Sequence, residues 1–173
     1  RRCAHCKGLI SANGLCILAG CRADHPLEET TPVPLGQAYL ARPEVLKFWV
    51  DPAREELRLY DALRKDRTLR EHVRLYPHCD WCDVAIGETV GVDVKDYENP
   101  RRLAHRLNRG IGNLAHYPNR ILAIAKRRSS STYHDRLREQ LSPDRRNAFQ
   151  IMSVDKAIRH LKEIYGGTHA QEA

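Results

Sequence analysis

The stretch CDWCDVAIGETVGVDVKDY, residues 79–97, carries the pattern that decides the fold. Its second half, VGVDVK, alternates valines with Gly91, Asp93 and Lys95, which is typical of a strand with one apolar face. The preceding DVAI has the character of a second short strand, and Gly-Glu-Thr between the two fits a tight loop. The stretch therefore predicts an antiparallel β-hairpin.

The expected register of this hairpin brings two acids together. If the loop is residues 87–89, strand pairing is symmetric about Glu88, and Asp83 lies opposite Asp93 on the face that bears Lys95. Two carboxylates this close raise each other's pKa unless a cation lies between them. Oxygen ligands suit Mg²⁺ or Mn²⁺, and a nearby lysine can orient a metal-bound water or stabilise phosphate charge. The pattern is suited to metal-assisted attack on a phosphodiester; the alternative is an ordinary ion pair on a wet sheet face.

Helical and strand patterns alternate along the rest of the chain. Helices are expected after three capping signals, which are Asp51-Pro52, Asn99-Pro100 and Ser153, and within TYHDRLREQL. Further strands are expected at RILAIAKR and AFQIMSV. The order helix, hairpin, helix, strand, helix, strand, helix predicts an α/β domain with a mixed sheet flanked by helices.

The first of these helices carries an acid on its apolar side. Glu56 lies one turn before Leu59 and Tyr60 and two turns before Leu63. A carboxylate at the edge of the helix face that packs inward is not expected unless it has a structural or functional role.

Six cysteines in a chain without an export signal are expected to be metal ligands or free thiols, not disulfides. The N-terminal segment has too few large apolar residues to fold without a cross-link such as a bound metal ion. Four thiolates satisfy a closed structural zinc site, with His5 or His25 as an alternative ligand. The four predicted zinc ligands are Cys3, Cys6, Cys16 and Cys21.

The other two cysteines, Cys79 and Cys82, flank Trp81. We expect them to be hydrophobic cysteines, because a second zinc would need another pair of ligands.

Positive charge is concentrated in the second part of the chain. Residues 101–173 hold 15 Lys/Arg against 6 Asp/Glu, a net charge of +9, whereas residues 1–100 have 14 against 16. Polyanions are attracted to such a surface, although a solvated basic face is the alternative. The residues expected to contact nucleic-acid phosphates are Arg102, Lys126, Arg127 and Arg128.

Composition predicts three parts. Residues 1–25 form the zinc knuckle, the proline-rich residues 26–40 form a linker, and residues 41–173 form the main domain. No run of 18 apolar residues and no signal peptide are present, so the protein is expected to be cytoplasmic and not bound to a membrane.

An acid at the start of one strand, followed by D-x-K on the next, resembles the PD-(D/E)xK restriction-endonuclease superfamily, whose core is also helix, hairpin, helix, strand. The residues that match are Asp83, Asp93 and Lys95. Cys82 stands where that motif has proline, which leaves open whether Asp80 and not Asp83 is the first metal acid.

The cysteine knuckle, the EEL helix, LYPHCDWCD and DVKDY followed by NPRRLA together resemble the restriction-endonuclease-like protein associated with prokaryotic Piwi-RE defence systems. That resemblance implies a DNA-cutting or nicking partner of a Piwi-family protein and a helicase. In the superfamily an acid of the first core helix often completes the site, and Glu56 matches it, with Glu55 as the fallback.

The sequence therefore favours a Mg²⁺- or Mn²⁺-dependent DNA endonuclease with a restriction-endonuclease-like core and a structural zinc appendage. Asp83 and Asp93 would hold the metal, Glu56 would contribute to its shell, and Lys95 would support the attacking water. The alternatives are a non-catalytic nucleic-acid-binding or assembly module and an RNA-processing or repair nuclease. A homodimer that cuts both strands is also left open.

Overall fold

The computed structural model describes residues 2–6, 8–25 and 42–166, together with the single positions 28, 32, 34 and 36. Two compact units divide the chain, Arg1–Arg54 and Glu55–Ala173. Most of the predicted linker at 26–40 lies outside the described residues, so the three-part division of the chain stays a prediction. In the described part of the chain, no helix has the length and apolar content needed to cross a membrane.

Short elements build the smaller unit. Two antiparallel bridges, Arg2 with Leu9 and Ile10 with Cys16, precede helix α1, Ala19–Asp24. Helix α2, Pro43–Val45, continues into a π-helical segment, Leu46–Val50. The buried cluster consists of Cys3, Cys16, Leu18 and Cys21, with Leu46 and Val50 among the residues packed against it. Three of its four buried members are thiols, so cysteines form most of the buried core among the described residues of this unit.

Asp51 does not cap a helix, which corrects the predicted helix start. Its φ of −64° and ψ of −46° are helical, and it continues the π-helical segment into α3, Asp51–Arg64. The Asp51 side chain is 8% exposed and accepts hydrogen bonds from the Gly20 N–H at 3.2 and 3.3 Å. Asp51 thus satisfies one of the amides that the first turn of α1 leaves without a helical partner.

The larger unit contains a five-stranded mixed sheet with the order β1-β2-β3-β4-β5. The β1–β2 and β2–β3 pairs are antiparallel, and the β3–β4 and β4–β5 pairs are parallel. The strands are β1 Val73–Leu75, β2 Val84–Ile86, β3 Val90–Lys95, β4 Asn119–Ile124 and β5 Gln150–Ser153. The predicted mixed α/β architecture is confirmed, but β1 was not predicted because three residues carry too little alternation.

The hairpin register is the one expected from the sequence. Ala85 pairs with Gly91, and the flanking residues of β2 and β3 pair symmetrically about Glu88. Val90, Val92 and Val94 are buried in the main core. Their alternation places Asp93 and Lys95 on the other face of β3.

Helices cover both faces of the sheet. One face packs against α3 and α8, Val154–Tyr165, and the other against α5, Pro100–Arg109, and α6, Ser131–Gln140. Short helical turns complete the unit: α4 Pro77–Asp80, Gly112–His116, Lys126–Arg128 and α7 Pro143–Arg146.

Two of the predicted caps are confirmed. The Asn99 side chain accepts hydrogen bonds from the backbone N–H groups of Arg101 and Arg102. The Ser153 hydroxyl accepts one from the Lys156 N–H. Both caps satisfy amides that have no partner within the helix.

Replacing Gly91 with alanine is expected to destabilise the protein by about 1–3 kcal/mol. A Cβ at Gly91 would lie 2.7 Å from Tyr117 Cγ and 2.9 Å from Leu114 Cδ1, so the buried ring would have to move. Gly110→Ala is the matched control, because nothing lies within 4 Å of its Cβ position. Urea unfolding measures both variants, and an equal effect of the two would contradict the prediction.

Candidate active site

Asp83, Asp93 and Lys95 come together at the β2–β3 hairpin, as predicted. The Lys95 ammonium donates to Asp93 Oδ1 at 2.7 Å. The Val94 N–H, between these two residues, donates to Asp83 Oδ2 at 2.5 Å. One aspartate is therefore held by the lysine and the other by the backbone of β3.

Burial and neighbouring charges both shift pKa values within this group. Burial, followed by the negative charge of Asp93, raises the pKa of Asp83 to about 8. Burial opposes the charge on Lys95, but Asp93 and Asp83 outweigh it and hold the pKa of Lys95 above its ordinary value. The group has more negative charge than one lysine can balance, which is the condition that favours a bound cation.

Glu56, on helix α3, interacts electrostatically with the same group. Burial is the largest cause of the raised pKa of Glu56, and the charges of Lys95 and Asp93 also act on it. Glu55 instead accepts a hydrogen bond from Arg58 at 2.7 Å. We call Glu56, Asp83, Asp93 and Lys95 the acidic site.

Tyr76 is a contact of the acidic site that the sequence did not reveal. Its hydroxyl donates to Glu56 Oε2 at 2.5 Å, and burial, followed by this hydrogen bond, raises the pKa of Tyr76. The two residues are twenty positions apart in the chain, so no local pattern could have identified the pair.

The backbone that carries Tyr76 is unusual. Tyr76, His78, Cys79 and Asp80 all have positive φ angles, 48°, 50°, 58° and 77°. This left-handed region is uncommon for residues other than glycine and costs free energy. Asp80 is exposed at the end of the turn, although its charge acts on Glu56 and on Tyr76. Asp80 is therefore more exposed than Asp83, which is partly buried.

Cys79 and Cys82 differ in their environments. Cys82 is 3% exposed and packs with Ala85, Leu114 and Tyr117. Cys79 is exposed. The expectation of a hydrophobic cysteine is thus correct for Cys82 and wrong for Cys79, because the left-handed turn directs Cys79 outward.

The predicted phosphate contacts fall into two groups. Asp96, whose side chain is 6% exposed, pairs with both Arg127 and Arg128, the latter at 3.0 Å. Arg102 and Lys126 are exposed. Arg127 and Arg128 therefore join the end of β3 to the turn after β4, whereas the other two side chains face solvent.

The N-terminal cysteines fit a zinc site. All four Sγ atoms lie within 4.8 Å of one another, and no other group of three or more His, Cys, Asp or Glu is so compact among the described residues. The Cys3–Cys21 and Cys6–Cys16 sulfurs are 3.7 and 3.4 Å apart. Zinc with ~2.3 Å bonds in a tetrahedron requires about 3.8 Å between sulfurs. The Gly8 N–H also donates to Cys6 Sγ at 3.4 Å, as expected for a thiolate ligand.

The acidic site offers a different kind of donor. Its charged groups are mainly carboxylate oxygens, the donor type that Mg²⁺ and Mn²⁺ prefer in proteins. The carboxylate oxygens lie farther apart than the four sulfur atoms. Such spacing is compatible with Mg²⁺, because Mg²⁺ commonly binds one or two carboxylates and completes its coordination shell with water.

Comparison with known proteins identifies one family. A family model described as "REase associating with pPIWI_RE" matches residues 53–169, which cover most of the larger unit. Searches of curated proteins and of solved structures found no match. The family match confirms the resemblance to the restriction-endonuclease-like protein associated with Piwi-RE systems and indicates a nuclease-like role in a defence system.

Purified protein is expected to contain about one zinc per chain, and Cys6→Ser should lose most of it, because three thiolates and a water bind zinc more weakly than four thiolates. Cys79→Ser is the matched control, since Cys79 is exposed and is not a member of the four-thiol group. Metal analysis of desalted protein gives the ratio. Equal zinc loss in both variants would contradict the assignment.

Asp83 should make stability depend on pH. The folded protein holds a proton on Asp83 up to about pH 8, whereas an unfolded aspartate loses it near 3.9. The folded state therefore binds more protons between these values, and the free energy of unfolding should fall as pH rises from about 4 to about 8. Asp83→Asn should weaken this dependence of the unfolding free energy on pH, measured by urea unfolding without divalent metal.

Asp80→Asn provides the control for this pH effect, because Asp80 is exposed. It should keep the wild-type slope. A slope that is unchanged by Asp83→Asn would show that Asp83 does not hold the proton.

Proposed function

We propose that this chain, which belongs to the family described as REase associating with pPIWI_RE, is a metal-dependent DNA endonuclease with a restriction-endonuclease-like core. Its reaction would be hydrolysis of phosphodiester bonds in invading DNA. The main support for the proposal is that Asp83, Asp93 and Lys95 lie close together at one end of the hairpin, in the order of the PD-(D/E)xK motif.

The proposed roles follow from the contacts. Asp83 and Asp93 would hold Mg²⁺ or Mn²⁺, and Glu56 would contribute an oxygen to the shell or orient a water. The metal, when bound, would supply an activated water and neutralise charge on the phosphate. Lys95, which donates to Asp93, would orient the attacking water and stabilise the phosphate.

Exposed cations support a DNA substrate. Helix α5 follows β3 after four residues, and its exposed Arg102 is available to a phosphate. Lys126 is exposed two residues beyond Ile124, which pairs with Lys95 in the sheet. We propose these two as phosphate contacts and assign Arg127 and Arg128 a mainly structural role, since both bind Asp96.

The family description supports a Piwi-family partner. We propose that the nuclease acts beside that protein, and a helicase, in the cytoplasm of a prokaryote. The four-cysteine cluster would hold a structural zinc or help to grip DNA. We propose a homodimer only if the protein cuts both strands of the DNA.

Plasmid cleavage tests the activity. Wild-type protein with Mg²⁺ or Mn²⁺ should nick or linearise supercoiled plasmid, and Asp93→Asn and Lys95→Ala should each lower the rate at least about 100-fold, because they remove a metal ligand and a charge that acts in the transition state. Glu56→Gln should also slow cleavage.

Glu55→Gln is the matched control for Glu56, because Glu55 accepts from Arg58. It should cut as wild type does. Asp80→Asn beside Asp83→Asn distinguishes the two candidate metal acids. DNA that is bound but never cut with any metal would support the non-catalytic binding module, and cleavage of RNA alone would support the RNA nuclease.

A further inference from the structure

We propose that Tyr76 is a positioning residue that holds the Glu56 carboxylate in the acidic site. This inference rests on the proposed nuclease function and deepens it. Tyr76 lies outside the motif formed by Asp83, Asp93 and Lys95.

The side-chain contact is direct. Tyr76 Oη donates to Glu56 Oε2 at 2.5 Å, within the range of about 2.5–2.7 Å for hydroxyls that donate to carboxylates. No donor to the other oxygen, Oε1, is present among the described residues. The tyrosine thus fixes one oxygen of Glu56 and leaves the second available for a metal or a water.

The backbone of Tyr76 contacts a second acid. Its N–H donates to the Asp83 carbonyl at 3.0 Å. Tyr76 therefore binds Glu56 through its side chain and Asp83 through its main chain. A shift of Tyr76 would change the distance between Glu56 and Asp83.

The conformation of Tyr76 is costly. Its φ of 48° and ψ of 52° are left-handed, and a side chain with a Cβ is disfavoured there. His78, Cys79 and Asp80 share this conformation. Such backbone persists only where surrounding contacts hold it, and it is concentrated at functional sites.

Core packing does not account for the tyrosine. Tyr76 is 40% exposed, and it is absent from the residues packed against the main core. Its most specific contact is the hydroxyl on Glu56. A bound carboxylate samples fewer rotamers, so Glu56 would already lie in place when metal and DNA arrive.

Tyr76→Phe tests the role of the hydroxyl, and Tyr60→Phe is the matched control. The Tyr60 hydroxyl lies on α3, like Glu56, but accepts a weak hydrogen bond from Arg64 at 3.4 Å. Calorimetric titration with Mn²⁺ measures the metal affinity of the zinc-loaded protein. The Asp93→Asn variant, which lacks a proposed ligand of the acidic site, is the reference for binding elsewhere. Plasmid nicking over a Mn²⁺ series gives the rate.

Tyr76→Phe should weaken Mn²⁺ binding and slow nicking by about 10-fold each, as loss of a partner of a metal ligand commonly does. Plasmid affinity in a gel shift should not change, and Tyr60→Phe should match wild type. Adding Tyr76→Phe to Glu56→Gln should cause no further loss of Mn²⁺ affinity, because the tyrosine acts through Glu56.

Two results would overturn the inference alone: wild-type Mn²⁺ affinity and nicking rate in Tyr76→Phe, or an equal loss from Tyr76→Phe with and without Glu56→Gln. A wild-type protein that neither binds Mn²⁺ at this site nor cuts DNA would overturn the proposed function, and the inference with it.

Discussion

The register of the β2–β3 hairpin is the constraint on which the acidic site depends. Pairing symmetric about Glu88 buries the valines of β3 on one face, so Asp93 and Lys95 must lie on the other, near Asp83. A slip of one residue would expose the valines and bury the charges, which the core would not tolerate. The free energy of burying three valines thus holds two like charges together.

The cost of that arrangement is balanced locally. Lys95 neutralises part of the charge on Asp93, and a backbone N–H binds Asp83. Burial, followed by the charge of Asp93, still raises the pKa of Asp83 to about 8; a bound cation would offset both effects. An acidic site built in this way can fold, and its negative charge would favour a divalent metal, as the proposed chemistry requires.

The cysteine cluster solves a different problem in the smaller unit. Its buried members are mostly thiols, which would form a poor core alone. Zinc binding would turn the same four side chains into the strongest contacts of that unit, because binding to a folded site contributes directly to folding. Asp51, bound to Gly20, adds a buried polar contact from the helix that follows.

Local pattern in the sequence determined the hairpin register, the caps at Asn99 and Ser153, the four-thiol group and the acids and lysine on the two strands. Each depends on residues a few positions apart or on the period of a strand, and such signals survive without tertiary context. Only the tertiary structure decided that Tyr76 binds Glu56 and that Asp96 binds Arg127 and Arg128. Those contacts join residues 20 to 32 positions apart, and the left-handed backbone at Tyr76 has no propensity signal, because tertiary contacts hold tyrosine there against its own preference.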